Sequence, residues 1–316
     1  MTRSDVVTVI VIAGGLSHER DVSLRSGRRV AQALRDAGRV VVETDVNADL
    51  VELMRRNEDA VVVPMLHGGL GEDGALREVL EVLGVPFVGP TGAASRLTFD
   101  KSVATSVVRA AGLAAPRQIA LPHDIFRELG APALMAAIGQ QLGYPLMVKP
   151  ARSGSALGVT KVDDAAALPS ALVAAYAYGA VAVIEQYLSG TEVAVTVLDE
   201  GNGPVALPPV EIRPESGVYD YESRYTAGAT RFVTPAQLDD DVLTAAQELA
   251  VAVHRALGLR HLSRVDMMVT AEGPVFFEGN VAPGMTETSL APLAFEAAGR
   301  ELGEVFASLV DQATLR

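Results

Sequence analysis

The chain has 316 residues, 49% of them hydrophobic and 21% charged, with a formal net charge of −13, no cysteine and no tryptophan. Such a length supports two or three domains with sizeable cores, and the acidic excess argues against a nucleic-acid surface, which is bound through clustered lysine and arginine. The lack of cysteine excludes thiolate zinc sites, dithiol redox motifs and a disulfide framework, so a reducing, cytoplasmic setting is expected.

Residues 5 to 90 alternate strand and helix: "VVTVIVIAGG", a helix near Ser23 to Ala37, "VVVETDV", a short helix at "ADLVELMRR", "AVVVPML", a helix from Gly74, and "PFVG". The helix after Gly74 is predicted from Leu76, Val79, Leu80 and Leu83 at i, i+3, i+4 and i+7, closed by Gly84. Continuous apolar strands alternating with helices imply a parallel open sheet covered on both faces. Such sheets bind ligands at the carboxyl ends of their strands, which brings "GGLSHE" (Gly14 to Glu19) and "HGGLGED" (His67 to Asp73) into one crevice.

A domain boundary is predicted near residue 98, giving units of 1–98, 99–184 and 185–316. Asp100 is expected to cap a helix that Lys101 opens and Gly112 ends. The uncharged run from Ala165 to Ile184 is long enough to raise a membrane span, but Pro169, Ser170 and Gly179 interrupt it. It reads instead as a helix, a turn at Gly179 and the strand "AVAVIEQYL". The apolar run near the N-terminus is too short for a span and lacks a signal-peptide pattern, so no membrane association is expected. In the third unit Val242, Ala246, Leu249 and Val253 mark a long amphipathic helix, followed by a hairpin.

Only three of the 26 basic residues are lysine, at 101, 149 and 161. A lysine kept in so arginine-rich a chain suggests a site that needs a compact point charge. In "VKPARSGSALGVTKV", Lys149 ends a strand and Gly154 and Gly158 with Ser153 and Ser155 form a loop suited to cradle a phosphate. The stretch matches neither the Walker pattern nor GxGxxG, and an ordinary hairpin turn remains the alternative reading.

The stretch "SRVDMMVTAEGPVFFEGN" reads as a hairpin with a three-residue turn, Ala271 to Gly273. That register pairs Thr270 with Pro274, Asp266 with Glu278 and Arg264 with Asn280. Carboxylates directly opposed on a sheet stand about 5 Å apart at Cβ and repel. Mg²⁺ would neutralise them and complete its shell with waters and phosphate oxygens; scattered histidines and absent cysteines disfavour zinc. The alternatives are that one carboxylate points to solvent or that Arg264 alone balances the pair.

The stretches "GGLSHERDVSLRSG", "LHGGLGEDG", "TFDKSVAT", "LGYPLMVKPARSGSALGVTKV", "VIEQYLSGTEVAV", "YDYESRYTAGAT", "LSRVDMMV" and "EGNVAPGMTETSL" together resemble, in order and spacing, the D-alanine:D-alanine ligases of the ATP-grasp superfamily. The resemblance implies an α/β protein in which an N-terminal parallel sheet precedes two α+β subdomains that sandwich ATP. It implies two substrates, D-alanine and ATP, with the first D-alanine carboxylate phosphorylated and then attacked by the amine of the second. By the same resemblance Asp266, Glu278 and Asn280 hold two Mg²⁺ ions, with Mn²⁺ as an alternative. Lys101, Lys149, Arg224 and Arg264 serve the phosphates, and Glu185, Leu188 and Glu192 serve adenine and ribose. Glu19 holds the first ammonium, and His67 lies near the substrate carboxylate. Ser289 and Leu290 hold the second substrate, with the Gly284 backbone at the developing oxyanion. Tyr225, in a lid with Tyr219 and Tyr221, reaches Ser155 and Glu19, an arrangement associated with an amine nucleophile. A homodimer is implied as well. Phe277, Gly279 and Val281 stand where the family more usually has Asn, an apolar residue and Thr, Ala156 replaces a common serine, and Arg224 a usual lysine. These departures leave open a related ligase that joins or cyclises other amino acids in secondary metabolism.

Overall fold

A computed structural model describes residues 7–215, 226 and 228–315. The N-terminal part comprises β1 (Thr8–Ile12), α1 (Arg20–Asp36), β2 (Val40–Thr44), α2 (Leu50–Arg56), β3 (Val61–Pro64) and α3 (Ala75–Val82). The strands form a parallel sheet of order β2-β1-β3. Alternate residues of β1 point to opposite faces. Val9 and Val11 join one core with Val30 and Leu34 of α1, while Ile10 and Ile12 join another with Leu50, Met54 and Leu80. The predicted "PFVG" strand shrinks to one parallel bridge, Val62 with Phe87, because Pro86 has no N–H to donate and Gly89-Pro90 ends the run.

Next come α4 (Gly92–Phe99) and α5 (Lys101–Ala110). Asp100 caps α5 as expected, its carboxylate accepting the N–H groups of Ser102 and Val103. Helix α4, capped by the Thr91 hydroxyl, was not foreseen; its small residues carry little apolar periodicity. Both helices belong to the core of the C-terminal sheet through Ala94, Ala104 and Val108.

The middle of the chain folds as β4 (Gln118–Pro122), α6 (His123–Leu129), α7 (Ala131–Leu142), β5 (Leu146–Pro150), β6 (Thr160–Val162), α8 (Leu168–Tyr176) and β7 (Val181–Gln186). Its antiparallel sheet, ordered β4-β7-β5-β6, buries Leu146, Val148 and Ile184 against Ile138 and Leu142 of α7 and Leu168 and Leu172 of α8. The uncharged run thus resolves into α8 and β7, and among the described residues no helix is long and apolar enough to cross a membrane.

The remainder consists of β8 (Thr191–Leu198), β9 (Val205–Ala206), β10 (Val210–Pro214), β11 (Thr230–Val233), α9 (Asp240–Ala256), β12 (Leu262–Thr270), β13 (Gly273–Asn280), α10 (Leu290–Ala297) and α11 (Leu302–Thr314). The antiparallel sheet runs β11-β10-β8-β12-β13, with β9 added to β8. One face packs on α9 through Ala246, Ala250 and Val253. The other shares its core with the N-terminal sheet through Phe295, Phe306 and Leu309.

The hairpin corrects the predicted register at its tip. The turn has two residues, Ala271 and Glu272, so Thr270 pairs with Gly273 and Val269 with Pro274. A bulge between Asp266 and Met267 then takes in Phe277 and restores the predicted pairs Asp266–Glu278 and Arg264–Asn280. An extra residue on one strand shifts its pairing by one, which compensates the shorter turn.

Candidate active site

Helix α1 starts at the mouth of the first strand's loop and lies close against β1: a side chain on Gly27 would collide with Ala13 Cβ. Its buried Ser23 accepts the Gly14 N–H at 2.8 Å and donates to the Met65 carbonyl at 2.7 Å, tying the loop after β1 to the end of β3. Ser17 Oγ donates to the His67 carbonyl at 2.5 Å. The two predicted loops therefore do share one crevice. Gly68 has φ +65°, and a Cβ there would stand 2.6 Å from Glu19 Oε2, so glycine is needed to let the carboxylate in.

Glu19 reaches from this crevice to the glycine-rich loop between β5 and β6, where Ser155 Oγ donates to its Oε1. Lys101, only 8% exposed, makes a second link: Nζ donates to the Ser153 carbonyl at 2.6 Å and pairs with Glu278 Oε1 at 3.0 Å. On the hairpin, Arg264 holds Asp266 through two parallel bonds of 2.7 Å, and Asn280 Nδ2 donates to Asp266 Oδ2 at 3.0 Å. Each carboxylate has its own cation, so their mutual repulsion, the sequence argument for a metal, is met by Arg264 and Lys101. The case for Mg²⁺ rests instead on donor chemistry. Among the described residues no three His, Cys, Asp or Glu groups gather around a common point. Two carboxylates and an amide carbonyl are hard oxygen donors that fill only part of a shell, which fits an ion that keeps waters and takes phosphate oxygens, and not zinc.

A cleft of about 450 Å³ runs between these elements. Glu19, Lys101, Ser155, Arg264, Glu278 and Asn280 line it together with His67, Gly284, Ser289 and Leu290. Ser289 precedes α10, and its Oγ accepts the Thr286 N–H at 3.1 Å and lies 2.8 Å from Thr286 Oγ1. His67 is buried, with Nδ1 3.0 Å from the Ala282 carbonyl and Nε2 3.0 Å from Ser26 Oγ. Burial holds its imidazole below the usual histidine range.

Four predicted nucleotide residues lie outside this cleft. Lys149 and Glu185 form a buried pair, Nζ to Oε1 at 2.6 Å, on neighbouring strands β5 and β7. Among the described residues Glu185 Oε2 and Ser153 Oγ are buried with no hydrogen-bond partner, so both are open to a ligand donor. The Phe277 ring, set in the bulge, lies 6.0 Å from Lys149 Nζ. Leu188 and Glu192 are half-buried where β7 passes to β8. Arg224, Tyr225 and the other lid tyrosines, Tyr219 and Tyr221, fall outside the described residues.

Three contributors were missed. Glu72 borders the cleft, and burial, with Glu19 and Glu278 nearby, pushes its carboxyl up to about 8. Arg77 is 2% exposed, donates from Nη1 to the Gly71 carbonyl and from Nη2 to the Val281 carbonyl at 3.4 Å, and is brought down to about 10 by desolvation. A charged residue three positions before Leu80, on the apolar stripe of α3, was the available signal for Arg77. Ser26, fully buried on α1, carried a similar one, a serine one turn from Ser23.

A carboxylate-lined cleft beside a glycine-rich hairpin, between an antiparallel sheet and a second sheet that carries a lysine-glutamate pair, is the architecture of the ATP-grasp fold. The family profile described as "D-ala D-ala ligase C-terminus" matches residues 107–311. A D-alanine–D-alanine ligase of Pelotomaculum thermopropionicum is 37% identical over 304 residues, 96% of this chain and 95% of that protein. The namesake from Moorella thermoacetica is 38% identical over 306 residues, 96% and 98%. Among solved structures, the VanG D-Ala:D-Ser ligase of Enterococcus faecalis superposes with a TM-score of 0.84 at 28% identity, covering 97% of this chain and 99% of that one. The D-alanine–D-alanine ligase of Bacillus anthracis complexed with ATP gives 0.82 at 27% identity, covering 98% and 97%. The chain belongs to the D-alanine–D-alanine ligase family and is an ATP-dependent ligase.

Proposed function

We propose that the protein joins two D-alanines into D-alanyl-D-alanine, with ATP converted to ADP and phosphate, for peptidoglycan precursor synthesis. The observation that carries this reading is the convergence on one cleft of Glu19 with Ser155, of Lys101 with Glu278, and of Arg264, which holds the buried Asp266 behind it. The first D-alanine presents its ammonium to Glu19. Its carboxylate takes the γ-phosphoryl group, and the amine of the second D-alanine attacks the acyl carbon and expels phosphate. Such a transfer between anions needs neutralisation and positioning more than covalent help from the protein. Lys101 and Arg264 supply fixed positive charge, and Lys149 supports the nucleotide phosphates. Glu185 Oε2 accepts from the adenine amino group, while Leu188 and Glu192 border the nucleoside. Ser289 and Leu290 receive the second amino acid, and the Gly284 N–H faces the oxyanion that develops at the reacting carbonyl. Asp266, Glu278 and Asn280 would hold two Mg²⁺ ions, which when bound supply charge stabilisation at the transferring phosphoryl group.

A cytoplasmic homodimer, divided near residues 98 and 184, completes the proposal. The test is ADP release with a panel of D-alanine, D-serine, D-lactate and L-amino acids, each product identified by mass. D-Alanine alone should suffice and yield the dipeptide. Turnover with another pair and none with D-alanine would instead favour a specialised ligase.

A further inference from the structure

Helix α1 presents Ser23, Ser26 and Arg29 at successive turns: Ser23 ties the loop after β1 to the end of β3, and Ser26 and Arg29 both hold the turn after β13. Ser26 Oγ is 0% exposed and sits between two partners: it accepts the Met285 N–H at 3.0 Å and lies 3.0 Å from His67 Nε2. His67 Nδ1 lies 3.0 Å from the Ala282 carbonyl. A carbonyl oxygen only accepts, so Nδ1 carries the hydrogen. In a neutral imidazole Nε2 is then the acceptor, and the Ser26 hydroxyl, having accepted from Met285, still has a hydrogen to give it. One assignment satisfies every group in the chain Met285, Ser26, His67, Ala282. An imidazolium would instead present an N–H to Ser26 Oγ and leave the buried hydroxyl hydrogen without that acceptor. Arg29 grips the same turn from the other side, Nη1 donating to the Met285 and Thr286 carbonyls at 2.9 and 3.0 Å.

We propose that Ser26 is a positioning residue for the ligation: it locks His67 in the neutral Nδ1–H form, and the two together hold the turn from Ala282 to Met285, and so Gly284, against α1. Both ring nitrogens of His67 are spent on protein partners, so the histidine reads no substrate carboxylate and acts only through the turn. This departs from the role that the family resemblance implies for it. The kinetic consequence rests on the proposed reading of the Gly284 N–H as the oxyanion donor; the hydrogen-bond assignment does not.

Two measurements test the proposal. Nitrogen-15 spectra of histidine-labelled wild-type protein, with the His67 signals assigned by their loss in His67→Gln, should show the neutral Nδ1–H tautomer. An Nε2–H tautomer or an imidazolium near neutral pH overturns the lock whether or not any amino acid turns over. In Ser26→Ala, with unfolding monitored in parallel, kcat should fall about 10- to 100-fold, the range for removing a partner that orients a site residue. The two D-alanine KM values should stay within about twofold, because no direct substrate contact is lost. A raised KM with kcat unchanged would make His67 a substrate ligand, and no change in either constant would remove Ser26 from the machinery. Failure of D-alanine to turn over in the wild type would strike the proposed activity and leave the tautomer result standing.

Discussion

Helix α1 and the strands that face it across the cleft or lie beyond it bury polar groups in different ways. At α1, Ser26 and His67 satisfy each other and, like Ser23, nearby backbone with neutral hydrogen bonds. On the β12–β13 hairpin and on β5 and β7, carboxylates are held by lysine and arginine, and Glu185 keeps an oxygen without a partner among the described residues. Neutral relays fix geometry without a field, whereas paired charges maintain a field that can be redirected when a charged substrate enters. The difference implies that α1 sets where atoms sit and that the hairpin sets how charge is stabilised.

The largest expected effect breaks the charged side. Glu278→Gln keeps the shape and removes the charge, and ADP release should fall by about 10²- to 10³-fold, the order seen when a key electrostatic contact is lost. Nucleotide titration calorimetry should retain most of the binding; unchanged turnover would refute the metal assignment. Lys149→Met should leave the Glu185 carboxylate buried without its cation, at a cost of about 3–5 kcal/mol in urea unfolding. Adding Glu185→Gln should recover a substantial part of that loss, since only the charged partner is intolerable there, and strict additivity of the two changes would contradict the pairing.

The neutral style of burial recurs behind the sheet, where it makes a pH prediction. His254 bonds Ser263 Oγ at 2.7 Å through Nδ1, and His261 Nδ1 accepts the Gly89 N–H at 3.0 Å. Desolvation lowers both imidazoles to about 4. In the unfolded chain they titrate near the ordinary value of about 6.5. Between those values the unfolded state binds more protons, so stability is complete above about pH 6.5 and is lost as pH falls toward 4. The loss is on the order of 3 kcal/mol per histidine at most. Glu72, raised to about 8, works in the opposite direction over this range, so the measurement is the shift in denaturant midpoint between about pH 7 and pH 5 compared in wild type and His254→Gln; an identical shift in both would contradict the buried neutral assignment. The smallest effect belongs to an exposed pair, Arg25 with Glu287 at 3.1 Å, whose side chains are 59% and 68% exposed. Glu287→Ala should change stability by less than about 0.5 kcal/mol in the same unfolding assay, as solvent-screened pairs do.

Much of the frame was legible without coordinates. Apolar runs such as "VVTVIVI" dictate buried parallel strands because only a doubly covered sheet removes both faces from water. Asp100 announced its helix through an ordinary local cap. The charged side of the site was equally readable, since Asp266, Glu278, Asn280 and Arg264 lie within one hairpin and Lys101 and Lys149 stand out in an arginine-rich chain. The register at the hairpin tip was not readable. The bulge at Phe277 goes with a partner from elsewhere, the Phe276 N–H donating to the Ala114 carbonyl at 2.9 Å, while a side chain on Gly279 would stand 2.9 Å from Thr98 Cγ2.

Sequence by itself therefore determined the three strands of the N-terminal sheet, the Asp100 cap and the charged groups of the hairpin, because these follow from local periodicity and side-chain chemistry. Tertiary structure decided which charges are already paired, where Arg77 loses its water, and which partners hold the two ring nitrogens of His67. His67 is 41 residues from Ser26 and 215 from Ala282, and hydrogen bonds across such separations exist only once α1 has packed between the two halves of the chain.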